Sequence, residues 1–217
     1  MAEGRGRSLV AASHGARVRA SSSFAILLVL TLAGQAQSAR AAESWWHDGW
    51  AVTGFAGVLS VEESSDIWLH GNFELADDTL FGAGLSKRLF SVGRYLDFEL
   101  ELQSVKHFGD QNNFEFNLPF IARWNAFPWD GFIDTSLAFG DGLSIATETP
   151  DLEKARYGGD KAGSALNFVM LELTLALPEH PNVQFVNRFQ HRSGAFGLIN
   201  DAGDASTAFA WGVKFQF

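Results

Sequence analysis

The chain has 217 residues, 16 basic against 25 acidic, a formal net charge of −9 and no cysteine. Without cysteine there is no disulfide framework, zinc ribbon or thiol nucleophile, and the acidic balance argues against nucleic acid, whose phosphates need clustered Lys and Arg. Five prolines and 47% apolar residues describe a folded chain, and 20 Phe with 22 Gly in short runs favour strands over helices.

The first segment in chain order reads as a leader. Arg5, Arg7, Arg17 and Arg19 precede an apolar run from Phe24 to Ala33, and Ala39-Arg40-Ala41 supplies the small residues of a cleavage site. Ten apolar residues make about 15 Å of helix, half of a hydrocarbon core of roughly 30 Å. The run therefore reads as a secretory signal peptide over 1–41, with the mature domain at 42–217, and not as an anchor. Removal of five arginines leaves the mature part more acidic still.

Beyond the leader, period-two alternation predicts eight strands, over 50–60, 79–90, 95–108, 113–125, 131–146, 165–178, 183–196 and 206–217. The third is the clearest: Leu96, Phe98, Leu100 and Leu102 lie on one face, Asp97, Glu99, Glu101 and Gln103 on the other. In the fourth, Phe114, Phe116, Leu118, Phe120 and Trp124 oppose Glu115, Asn117 and Arg123. Asp66 to Leu75 alternates weakly and reads as a loop or a strand extension. In the last strand Thr207, Phe209, Trp211, Val213, Phe215 and Phe217 share one face.

A soluble sandwich or periplasmic barrel alternates too. The combination of a leader, strands of ten or more residues and a terminal aromatic on the apolar face points instead to an all-β, eight-stranded antiparallel transmembrane barrel of the Gram-negative outer membrane. Such strands need about 9–11 residues to cross, and closure leaves no unpaired edge in lipid. Eight strands enclose a lumen filled by side chains. Glu99, Glu101, Glu115, Arg123 and Arg188 are expected to form that filling, with a structural role. Function belongs on the rims or the outer wall.

The seventh strand carries the chemistry. Val183, Phe185, Asn187, Phe189, His191, Ser193 and Ala195 share one face; Gln184, Arg188, Gln190 and Arg192 share the other with Val186 and Gly194. The apolar face must meet lipid, so His191 and Ser193 are expected to point into the membrane, where polar side chains are costly and functional. With both barrel ends periplasmic, this strand ascends and the pair lies near its extracellular end, at the leaflet that holds lipopolysaccharide. Residues i and i+2 of a strand lie about 6.5–7 Å apart, within reach for a His base and a Ser nucleophile. Asp204, entering the neighbouring strand, is the expected acid that orients His191, with Asp201 as its substitute. Asn200 and the turn from Gly194 to Gly197 offer oxyanion donors. No metal or other cofactor is needed.

On these residues (His191, Ser193, Asn200, Asp201, Asp204 and the terminal Phe) the sequence resembles the outer-membrane lipid A 3-O-deacylases and acyloxyacyl-hydrolase-like proteins. The likeness is carried by the last thirty or so residues, and elsewhere by barrel pattern alone. Gly194 stands where the family often has Asn, and Asp204 where its acid is usually Glu. The resemblance implies an esterase that removes a 3-O-linked acyl chain from lipid A. A non-enzymatic structural or adhesive barrel is the alternative reading. A lipid-binding barrel with an apolar lumen is opposed by the inward Glu and Arg positions.

Overall fold

The computed structural model describes residues 48–60, 67, 70, 74–109, 111–151, 153–154, 163–195, 199 and 204–217, with the side chain of Asp204 outside the description. The expected leader at 1–41 lies outside these residues. The chain forms a closed barrel of eight antiparallel strands in sequence order: β1 (Trp50–Ser60), β2 (Leu75–Val92), β3 (Leu96–Gly109), β4 (Phe114–Trp124), β5 (Asp134–Ala146), β6 (Ala165–Ala176), β7 (Val183–Ser193) and β8 (Asp204–Gln216). β8 pairs back onto β1, from Ala51↔Gln216 to Ser60↔Thr207. Paired backbone bonds between Trp50 and Phe217 (3.0 and 2.8 Å) close the seam. Of the 66–75 stretch, Ile67 and His70 are helical and Leu75 opens β2.

Alternation explains both the strands and the closure. Phe81, Leu102, Phe116, Phe120, Phe139, Phe185, Trp211 and Val213 are exposed on the outer wall. Their chain neighbours on the inside include Glu101, Asn117 and Lys214, each at most 1% exposed. An apolar exterior around a charged interior inverts the pattern of a water-soluble protein and suits a barrel whose wall is solvated by lipid.

The lumen is packed shut. Arg123 Nε donates to Glu99 Oε1 at 2.7 Å, its Nη2 to Glu172 at 2.7 Å and its Nη1 to Ser136 at 2.9 Å. Arg188 forks onto both oxygens of Glu101 at 2.8 and 3.0 Å and also donates to Glu172. Lys214 Nζ reaches Glu172 at 2.6 Å. Three carboxylates thus face three cations, each held by hydrogen bonds, which offsets the loss of water around buried charge. The Phe55 ring lies over Gly82, where a Cβ would fall 2.2 Å from it, and carries the Arg188 guanidinium 5.0 Å from its centroid. Above this network, Gln190 donates to Gln103 at 3.2 Å. The expected filling by Glu99, Glu101, Glu115, Arg123 and Arg188 is present, joined by Glu172 and Lys214.

Pro119 leaves a visible mark. The β3–β4 ladder pairs Leu100↔Phe120 and Gln103↔Asn117 and is interrupted between them, where Pro119 has no N–H to give. The three longest connections, 61–74, 147–164 and 194–203, share one end with 110–113, and those over 93–95, 125–133 and 177–182 lie at the other. Barrels of this type carry their longer loops outside the cell, so β7 runs upward and ends at the extracellular side.

Candidate active site

The site grows out of the alternation of β7. Gln190 and Arg192 are buried in the lumen, so His191 and Ser193 face outward, both half-buried. They end the strand at the extracellular side, above an edge-to-face pair of Phe189 and Phe209 with centroids 5.4 Å apart. The outward placement expected from the sequence is what the fold shows.

Register decides which residues on β8 meet them. His191 pairs with Thr207, and its Nδ1 lies 3.1 Å from the Thr207 hydroxyl. The ladder then slips by one residue between Arg192 and Ser193, so that Ser193 faces Asp204. The backbone of Asp204 is thus level with Ser193, one step above His191. Asn200, Asp201 and Gly197 lie outside the described residues, as does the Asp204 side chain. Gly194 is buried, and its carbonyl accepts the Ile199 N–H at 3.2 Å. Ala195 follows in the left-handed region (φ 51°), an uncommon conformation for a residue with a side chain. It ends β7 at Ser193 and not at 196 as alternation predicts.

The lumen side of the same backbone is clipped in place. Glu153, from the 147–164 connection, is fully buried and accepts hydrogen bonds from Arg192 Nη1 at 2.8 Å and the Ser206 hydroxyl at 3.2 Å. Arg192 Nη2 also donates to the Ser164 carbonyl at 3.2 Å. Arg192 lies between His191 and Ser193, and Ser206 is next to Thr207. The clip therefore joins β7 and β8 where the ladder slips. Burial pushes the Glu153 carboxyl up to about 7, against the pull of Arg192 and with added repulsion from Glu115. Beneath it, His107 sits 3.4 Å from both Asp78 and Glu115.

Thr207 and Glu153 escape a reading of the sequence. Thr207 was visible only as one more residue on the outer face of β8, and its match to His191 depends on the register slip. Glu153 comes from a connection with no pattern of its own. Glu172 had a signal: a lone acid among leucines in LELTLA, on the face of β6 that also carries Thr174.

A cavity of about 260 Å³ opens at the opposite end beside Asp48, Arg88, Glu99 and Lys214. The polar pair on β7 is remote from it. Among the described residues no group of His, Asp and Glu is arranged to hold a metal ion.

No protein-family model matches the chain, and no curated protein matches it. Among solved structures it is similar to the outer membrane enzyme PagL, at 14% identity and a TM-score of 0.53, over 77% of this chain and 99% of that one. It is also similar to Neisserial surface protein A, NspA, at 15% identity and a TM-score of 0.48, over 78% and 97%. The outer membrane protein OprG from Pseudomonas aeruginosa aligns at 12% identity and a TM-score of 0.40, over 79% and 97%. At such identities the likeness to PagL speaks for the fold. The chain is an eight-stranded β-barrel of the outer-membrane type.

Proposed function

We propose that this barrel is an outer-membrane esterase that removes a 3-O-linked acyl chain from lipid A, after export on a leader spanning 1–41. One observation carries the reading. Two polar side chains of the types that make a nucleophile and its base, His191 and Ser193, stand next to each other on the lipid-facing wall. They do so at the end where the outer leaflet lies. Polar groups in that position cost stability and are kept for use. The resemblance of the last thirty or so residues to lipid A 3-O-deacylases supplies the substrate.

In this mechanism the Thr207 hydroxyl and the Asp204 carboxylate fix the His191 tautomer with a proton on Nδ1, so Nε2 is the base. Nε2 takes the proton of Ser193 Oγ as the oxygen attacks the ester carbonyl. The tetrahedral oxyanion is received by donors at Gly194, Gly197 and Asn200. As the ester C–O bond breaks, His191 returns the proton to the departing sugar oxygen. Water, deprotonated by the same His191, then attacks the acyl-Ser193 carbonyl, releasing the fatty acid and restoring the hydroxyl. No cofactor enters.

Mass spectrometry of lipid A from cells making the wild-type chain should show the loss of one hydroxyacyl mass, absent with Ser193→Ala. A folded wild-type barrel in the outer membrane that leaves lipid A intact would instead favour a structural or adhesive barrel.

A further inference from the structure

The outer wall holds a second polar pair that the proposed chemistry does not use. Asp141 on β5 and Asn167 on β6 both face lipid, since their chain neighbours Gly140, Leu166 and Phe168 are buried inside. Asn167 Nδ2 donates one hydrogen to Asp141 Oδ1 at 2.9 Å and the other to the Gly142 carbonyl at 3.0 Å. Register places Asn167 directly opposite Ser193, and Val169, next to Asp141, directly opposite His191. Apolar side chains surround the pair: Phe120 and Leu143 beside Asp141, with Phe139 and Leu171 below. A carboxylate in this belt costs stability, which points to a use.

Its chemistry narrows the use. With both amide hydrogens engaged, Asn167 offers only its Oδ1, and the carboxylate of Asp141 offers only acceptors. Among the described residues no other side chain donates to either. The ligand must therefore bring a hydrogen-bond donor. Its position narrows the ligand further. Asp141 lies five residues short of the end of β5, while Ser193 ends β7. With about 3.3 Å of rise per residue and strands tilted by roughly 40°, the carboxylate sits about 10 Å deeper in the membrane than Ser193. Asn167 lies between them, on the strand next to Ser193. An acyl chain whose ester rests on Ser193 would run down past these side chains, and the donor such a chain can carry close to its ester is a hydroxyl.

We infer that Asn167 and Asp141 form a notch that binds the hydroxyl of a hydroxylated acyl chain, and so select hydroxyacyl over plain acyl esters. Asn167 meets the hydroxyl close to the ester, and Asp141 orients Asn167. The catalytic arm of the test rests on the esterase reading; a binding arm does not.

The full barrel in detergent is assayed with p-nitrophenyl 3-hydroxytetradecanoate and p-nitrophenyl tetradecanoate. The expected wild-type preference in kcat/KM is at least tenfold for the hydroxylated ester, falling to near unity in Asp141→Leu and Asn167→Leu. Asp141→Asn, which keeps an acceptor, should retain part of it. A preference equal in wild type and both Leu variants overturns the notch, as does a wild type with none. In parallel, Ser193→Ala protein is titrated with 3-hydroxytetradecanoate and tetradecanoate. Tighter binding of the hydroxylated acid, lost on adding Asp141→Leu, upholds the notch even if the wild type hydrolyses neither ester. Equal binding overturns it whatever the enzyme does.

Discussion

The inner and outer faces of β7 are both polar at the extracellular half, and they are polar in different ways. Inside, Arg188 and Arg192 each meet carboxylates from other strands or connections, and Gln190 bonds to Gln103. Outside, His191 is held by a hydroxyl on β8 and paired with Val169 on β6, and Ser193 is half-buried. Buried charges that meet opposite charges offset the loss of their water. A serine and a histidine left at the lipid wall add little to packing, so their presence needs another reason. The lesson is that polarity alone does not mark a site in such a barrel. What marks it is polarity on the face whose solvent is lipid.

The largest effect expected is chemical. Ser193→Ala and His191→Ala should each lower ester hydrolysis by roughly ten-thousand-fold or more, with the double variant scarcely worse. Urea unfolding of the reconstituted barrel should change little. A large loss of stability in either would place these residues with the inner face.

Substitution inside should give the converse. Removing Glu172 leaves Arg123, Arg188 and Lys214 sharing two carboxylates, so Glu172→Ala should cost about 3–5 kcal/mol in the same unfolding assay. Glu101→Ala and Arg123→Ala belong to the same class. A variant of these that unfolds like wild type yet has lost only hydrolysis would break the division between the faces.

A smaller effect separates orienting groups from reacting ones. Thr207→Val keeps the shape of a buried residue and removes the oxygen at His191 Nδ1. One neutral hydrogen bond, about 1 kcal/mol, corresponds to roughly a fivefold fall in kcat. Asp204→Asn should likewise be milder than loss of His191. A change in KM alone would count against an orienting role.

The smallest effect concerns pH. Glu153 lies in a connection outside the strands, faced by Arg192, Ser206, Glu115 and His107, and burial raises its carboxyl to about 7 from an ordinary 4.5. The folded value is the higher one, so the group stabilises the barrel fully below 4.5 and that contribution is lost as pH rises through about 7. On the order of 1–3 kcal/mol is at stake. Unfolding measured from pH 4 to pH 8 should show this decline, and Glu153→Gln should flatten it. An equal slope in the variant would assign the decline elsewhere.

Much of this could be read in the sequence, and the reasons are physical. Alternation located all eight strands because each has one lipid face and one lumen face, a contrast that composition cannot hide. It erred at strand ends, where that contrast fades. β2 begins at Leu75, four residues before the expected start, where the consecutive acids Asp77 and Asp78 break the alternation. β5 begins at Asp134, after a turn in which Phe132 donates to the Trp129 carbonyl. β8 begins at Asp204, through the slip that also sets Thr207 against His191. The outward direction of His191 and Ser193 followed from period two alone. The Glu153 clip did not, since nothing local to a connecting segment records which distant strand it closes upon.

The central claim is that Ser193 on the lipid wall is activated by His191. The direct measurement is covalent labelling of the folded barrel with a long-chain alkyl fluorophosphonate, read by peptide mass spectrometry. Phosphonylation of Ser193 in the wild type and its loss in His191→Ala are the predicted results. An unlabelled Ser193, or equal labelling with and without His191, would contradict the claim.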